Sequence, residues 1–194
     1  MKVLGISGSP RKGGNTDIIL KEILRGAENS GMETEILFLR DYTLNSCIGC
    51  EKCRKSLTCS QFNDGMNLIY PKVEEADILI TGSPVYNYNI TSLIKTFIDR
   101  LYPYYTFHGK RPGRYSSRLQ DKKREALVFS VCEQIDPKEN DFAIDAMSRP
   151  LEALGYNITD KMAIRGYFEK GSVLRDDDLI RKVHSAGIKL SEMK

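Results

Sequence analysis

Apolar residues alternate between two rhythms along the chain. Residues 2–6 form a short apolar run suited to a buried strand. Over residues 16–29, Ile19, Ile23 and Ala27 fall on one helical face, and Gly31 lies just beyond its end. Residues 33–39 read as a second strand. A helix is expected over 65–75, with Met66, Ile69 and Val73 inward and Asp64 placed to cap it. Residues 77–81 are almost wholly apolar, as buried parallel strands are. Residues 92–101 predict a helix with Ile94, Phe97, Ile98 and Leu101 inward. A fourth strand follows at 125–131. Asp136 and Pro137 should cap and start a helix that runs to Leu154 with a kink at Pro150. Residues 156–164 are the fifth strand and 177–193 a closing helix. This alternation predicts an α/β fold, a doubly wound five-stranded parallel sheet with helices on both faces, in one domain spanning 1–194. Two segments break the rhythm: 42–63, which holds a run of cysteines, and 102–123, which is long, aromatic and basic. Long loops in compact domains are usually functional.

The 194 residues suffice for one substantial core, and 41% hydrophobic and 28% charged residues are ordinary globular values. A net charge of +3 gives no case for a nucleic-acid partner. No apolar run has the length of a membrane span, and the chain enters its first strand at once, so a cytoplasmic protein is expected. In that compartment cysteines seldom form a disulfide framework. Four of the five lie between Cys47 and Cys59, which raises metal or redox chemistry.

The stretch after the first strand reads Ser7-Gly8-Ser9-Pro10-Arg11-Lys12-Gly13-Gly14-Asn15-Thr16. Strand, small-residue loop and helix start together form an anion cradle, because backbone N–H groups and the positive end of the helix dipole converge there. Gly8, Gly13 and Gly14 are expected to allow left-handed backbone and close approach. Ser7, Ser9, Asn15 and Thr16 add side-chain hydrogen bonds, and a phosphate is the expected guest. A nucleoside-triphosphate loop is excluded, since Gly14 is followed by Asn15 rather than Lys. A dinucleotide fingerprint is excluded by the spacing of Gly5 and Gly8.

A second stretch, Thr81-Gly82-Ser83-Pro84-Val85-Tyr86-Asn87-Tyr88-Asn89-Ile90, ends the third strand. Gly82, Ser83 and Pro84 predict a rigid turn. A stiff apolar wall with amide groups at its edge suits a flat heterocycle. Together with Lys95-Thr96-Phe97-Ile98-Asp99-Arg100, these two loops resemble the NAD(P)H-dependent FMN reductase group of flavodoxin-like proteins, over roughly residues 1–165. The resemblance implies strand order 2-1-3-4-5 and bound FMN. Ser9, Arg11, Asn15 and Thr16 would hold the phosphate, with Ser7 and Pro10 as further cofactor positions. Pro84, Val85, Tyr86 and Asn87 would hold the isoalloxazine. The family's third loop corresponds to Ser130-Val131-Cys132-Glu133, which matches it poorly.

The cysteine run is Cys47-x-x-Cys50-x-x-Cys53-x5-Cys59. Four thiolates so spaced can converge on a 4Fe–4S cubane, one to each iron. Gly49 relieves crowding, and Lys52, Arg54 and Lys55 offset negative charge. The run resembles that of the iron–sulfur flavoproteins, a branch of the same group. Zinc, a redox dithiol and a set of metal-free thiols are the competing readings; zinc suits two separated pairs better.

In 102–123, Tyr102, Tyr104, Tyr105, Phe107 and Tyr115 are interleaved with Lys110, Arg111, Arg114 and Arg118. Such a mixture can stack on a nicotinamide nucleotide or on single-stranded nucleic acid. A subunit interface is the preferred reading, and a homodimer or homotetramer is expected. His108 and His184 read as surface or capping groups, Cys132 as a buried small hydrophobe, and Asp176 to Asp178 as a helix start. No Ser/His/Asp set or carboxylate pair demands a catalytic role, so the bond chemistry falls to flavin N5. Three function classes follow: an oxidoreductase passing electrons from NAD(P)H to a quinone, oxygen species or other acceptor; an electron-transfer partner of ferredoxin; and a cysteine-based redox sensor.

Overall fold

The computed structural model describes residues 1–192. Its main sheet contains β1 (Lys2–Ser7), β2 (Glu33–Phe38), β3 (Ile78–Pro84), β6 (Arg124–Cys132) and β7 (Tyr156–Arg165), all parallel, in the order β2-β1-β3-β6-β7. With the fourth and fifth sheet strands numbered β6 and β7, this is the expected 2-1-3-4-5 pattern. A separate antiparallel hairpin, β4 (Tyr105–His108) and β5 (Arg114–Ser117), occupies the segment expected to be a loop. The helices are α1 (Asn15–Asn29), a single turn α2 (Cys53–Ser56), α3 (Met66–Glu75), α4 (Ser92–Asp99), α5 (Asp141–Ala153) and α6 (Asp177–Lys189).

Side chains alternate across the sheet and so build two cores. Val3, Ile78, Ile80, Leu127 and Phe129 face α1 and α6, where Ile19, Ile23 and Val183 are fully buried. Leu4, Ile6, Leu79, Ala126 and Val128 face α3, α4 and α5, against Met66, Val73, Phe97 and Met147. Every residue of β6 is buried, which explains its continuous apolar pattern. Arg124, Glu125 and Ser130 are its buried polar residues, and Arg124 is 2% exposed. Arg124 Nη1 donates to Ala76 O at 2.6 Å, capping a carbonyl at the end of α3, and its Nε to Leu119 O at 2.9 Å in the turn before β6.

Four expectations are corrected. β3 runs on through Gly82, Ser83 and Pro84, which pair with Phe129, Ser130 and Val131, so the turn begins later. Gly82 is needed for contact, since a Cβ there would stand 2.1 Å from the Phe129 ring. Only Gly13 of the three loop glycines is left-handed, with φ +67. The helix expected from Asp136 breaks at Asn140: Asp136 caps a 3-10 turn, Pro137–Glu139, and Asn140 turns inward to accept a hydrogen bond from Ser130 Oγ. α5 continues past Pro150 to Ala153. Of the closing helix, α6 ends at Lys189 before a 3-10 turn, Leu190–Glu192; Met193 lies outside the described residues.

α1 and α6 cross in backbone contact. A Cβ on Gly187 would lie 1.9 Å from Ile23 O, and one on Gly26 2.1 Å from His184 O. Gly187→Ala must push the helices apart and should cost about 3 kcal/mol. Ser185→Ala, exposed on the same helix, should stay within about 0.5 kcal/mol of the parent in urea unfolding.

Candidate functional site

At the carboxyl ends of β1, β3 and β6, where the winding of the sheet reverses, lies a cavity of about 290 Å³. Ser9, Arg11, Gly14, Asn15 and Thr16 line one side, and Pro84, Val85, Tyr86 and Asn87 another. The two loops are bolted together: Gly8 N–H donates to Gly82 O at 2.8 Å, and Thr91 Oγ1 donates to Gly8 O at 2.6 Å. A Cβ on Gly8 would sit 2.7 Å from Ile94 Cβ, so the first loop packs directly on α4. Gly14, the N-cap of α1, brings no capping side chain, and the first-turn N–H groups stay open to a ligand.

Ser7 and Pro10 do not line the cavity. Ser7 is fully buried, and its Oγ donates to Asp17 Oδ1 at 2.7 Å. Asp17 Oδ2 accepts the Gly13 N–H at 2.8 Å, and Arg40 Nη2 meets the same carboxylate at 2.8 Å. Arg40 Nη1 also donates to Ser9 O at 3.0 Å. Asp17 and Arg40 thus shape the loop from beneath. Pattern reading missed them because neither belongs to the loop itself.

Tyr86 and Asn89 close a tight turn through reciprocal backbone bonds of 2.8 and 3.1 Å. Its central residues, Asn87 and Tyr88, have φ +48 and +67. Asn tolerates that region, whereas Tyr is strained there, and strain of this kind concentrates at ligand sites. Val131 and Glu133, from the poorly matching third loop, also line the cavity, as do Tyr167, Phe168 and Lys170. The last three come from the connection after β7 and carry no motif by which a sequence could reveal them.

The four clustered cysteines line a second cavity of about 150 Å³, with Phe62, Tyr70, Arg100 and Tyr102 among its walls. Among the described residues no three His, Cys, Asp or Glu side chains gather as ligands of a single ion. A cubane has a different requirement, one thiolate to each of four irons around a shared volume. Thiols spread around one cavity fit that requirement better than they fit zinc. Burial pushes the Cys53 thiol pKa up, and Cys59, Cys47 and Cys50 nearby push it further. Glu51 and Leu57 take left-handed φ of +58 each, and Gly49 +66, which coils the segment around the cavity. Cys132 is buried at the end of β6, apart from these four.

The β4–β5 hairpin covers this segment. Arg54 stacks on Phe107 with its guanidinium carbon 4.4 Å from the ring centre, Arg118 donates to Leu57 O at 2.7 Å, and Arg111 pairs with Glu51. Tyr102, Tyr105, Phe107 and Tyr115 pack against one another, so much of the apolar surface expected at a subunit interface is used within the chain. At the base of the segment Arg100 and Asp64, 2% and 3% exposed, pair at 2.8 Å. Arg100 also donates to Asn45 O at 2.7 Å.

Residues 1–117 match the NADPH-dependent FMN reductase family. The chain belongs to that family. It is 44% identical over 131 residues to an iron–sulfur flavoprotein of Methanocaldococcus jannaschii, covering 68% of this chain and 63% of that protein. It is 43% identical over 122 residues to an iron–sulfur flavoprotein of Archaeoglobus fulgidus, covering 61% and 53%. The match therefore spans between half and two thirds of these relatives' length. An NAD(P)H:quinone oxidoreductase from Methanothermobacter marburgensis has the same fold, with a TM-score of 0.75 at 15% identity over 98% of each chain. The family-matched segment contains the first loop, the Tyr86 turn and all four clustered cysteines, while Glu133 and residues 166–171 lie beyond it. No helix among the described residues is long and apolar enough to cross a membrane.

Burial would raise the Asp64 pKa, but bonds from Arg100, Asn45 and Met66 outweigh it and hold the carboxyl at about 2, below the ordinary 3.8. A depressed carboxylate stabilises the fold above its ordinary pKa and loses that contribution as pH falls toward 2. Stability should therefore drop by about 2 kcal/mol between pH 4 and pH 2 through this group. Asp64→Asn should lose that part of the pH dependence and be destabilised at neutral pH by about 3 kcal/mol, since Arg100 stays buried without its partner. Urea unfolding across that pH range checks both.

Proposed function

We propose that the chain is an FMN-dependent oxidoreductase that couples a flavin to a 4Fe–4S cluster, taking electrons from NAD(P)H or ferredoxin and passing them to a quinone, an oxygen species or another acceptor. The observation that carries the reading is the joining of the open start of α1 to the Tyr86 turn in one cavity of about 290 Å³. Bound FMN would supply hydride acceptance at N5 and single-electron release, and a cluster would take those electrons one at a time.

The residues divide the work. First-turn N–H groups of α1, with Ser9, Arg11 and Thr16, face the phosphate end of the cavity. Pro84 and Val85 would give the ring a stiff floor, and the left-handed Asn87 lines the same cavity. Cys47, Cys50, Cys53 and Cys59 are the ligand set for the cluster; Cys47 and Cys50 are exposed and Cys53 and Cys59 half-buried, and the hairpin holds the segment that carries them. α4 connects the two sites. Its N-cap Thr91 holds the Gly8 loop, and Arg100 at its other end holds the cysteine segment. Eight residues separate these ends by roughly 12 Å. Assembly into a homodimer or homotetramer belongs to the same proposal: Phe142, 67% exposed, lies in an open groove between α4 and α5.

Anaerobically purified protein should bind one FMN per chain, and reconstitution should add iron and sulfide. Replacing any one of Cys47, Cys50, Cys53 and Cys59 with Ala should abolish iron and sulfide while FMN stays bound; Cys132→Ala should keep both. If the reconstituted parent holds FMN alone, the cluster assignment fails and the chain is a plain flavin reductase. Sedimentation at micromolar concentration should give at least a dimeric mass; a monomeric mass counts against assembly.

A further inference from the structure

We propose that residues 166–171 form a third wall of the phosphate subsite, with Lys170 as its cation and Asn15 as the tether that places it. This rests on the FMN reading of the cavity. The segment follows β7 and is flanked by left-handed glycines, Gly166 at φ +87 and Gly171 at φ +80. It folds back onto the first loop. The Arg11 guanidinium carbon lies 5.1 Å above the Phe168 ring, and Arg11 Nη1 donates to Phe168 O at 3.4 Å. Lys170 runs over Gly13, where a Cβ would stand 3.6 Å from the lysine Cε and 3.9 Å from its Nζ.

Asn15 carries the inference. Its Nδ2 donates to Glu169 O at 2.9 Å and to Ser172 Oγ at 3.2 Å, so both amide hydrogens are spent on this segment. A carbonyl only accepts, which fixes the amide orientation. Oδ1 is left buried without a partner on a side chain 8% exposed that lines the cavity. A lone acceptor has nothing to give a phosphate dianion and suits a hydroxyl of the ligand instead. The first loop offers the phosphate Ser9, Arg11, Thr16 and the first-turn N–H groups of α1, but no lysine of that loop lines the cavity. Lys170 lines the same cavity, and no ion pair among the described residues engages it. It would act as the point charge that a phosphate-loop lysine provides, reaching the site from the far end of the chain. Asp17, beneath the loop, is already held by Arg40, and Glu133 is the carboxylate that shares the cavity lining with Lys170.

The test is the dissociation constant of FMN and of riboflavin for the flavin-free protein, read by fluorescence quenching. The parent should prefer FMN by more than tenfold. Lys170→Met should lose about tenfold or more of FMN affinity with riboflavin affinity unchanged, and Lys170→Arg should keep most of the preference. Asn15→Ala should lower the FMN-to-riboflavin ratio by a similar factor, and the double variant no further, because the two residues act in series. An unchanged ratio in Lys170→Met, or equal loss of both ligands, overturns the role of Lys170. Additive effects in the double variant overturn the tether. A parent that binds riboflavin as tightly as FMN removes the phosphate reading itself, and with it this one.

Discussion

The Asp17–Arg40 pair is the constraint on which the rest of the site depends. A buried carboxylate in the first turn of a helix favours the helix dipole but opposes any anion arriving at the same end. Arg40 removes the conflict by neutralising Asp17 from the side away from the cavity, and it spends a further hydrogen bond on the Ser9 carbonyl. Asp17 is then free to fix the loop through the Ser7 hydroxyl and the Gly13 N–H. Losing either partner would leave a buried charge uncompensated and unpin the loop at once. Arg40 is itself held by stacking on Phe38, 4.4 Å from the ring centre, so the end of β2 helps set the shape of the loop after β1.

The cysteine segment relies on a second buried pair of the same kind. Only one of its turns is helical, and two of its non-glycine residues are left-handed. Order comes from outside: Arg100 and Asp64 at the base, and the hairpin above. Each of these fastenings uses an arginine, whose planar guanidinium can stack on a ring as Arg54 does on Phe107 or serve several acceptors in one geometry as Arg100 does.

Much of this was legible in the chain. Val3 to Ile6 and the run of β6 announce buried parallel strands, and the glycine-hydroxyl loop announces the start of α1. Eight of the ten proposed cofactor residues, Ser9, Arg11, Asn15, Thr16 and Pro84 to Asn87, line one cavity. Ser7 stands apart because a hydroxyl in a phosphate-like loop looks the same whether it faces a ligand or the buried Asp17. The hairpin escaped because its strands are four residues each, too short for the Tyr105–Phe107 alternation to stand out. Tyr167, Phe168 and Lys170 escaped for a different reason. Their place at the cavity comes from where β7 ends in space, which no local spacing records.

The cysteine segment leaves and rejoins the fold at a single neck. Gly65 N–H donates to Thr43 O at 3.0 Å, and Asn45 N–H to Asp64 Oδ2 at 2.8 Å, so the two ends lie side by side. Because the ends are already joined, lengthening or shortening the intervening chain changes loop-closure entropy only slowly and leaves the register of β1, β2 and β3 untouched. The insert behaves as a cassette. What lies beyond the neck can therefore change in length and sequence independently of the loops around the larger cavity.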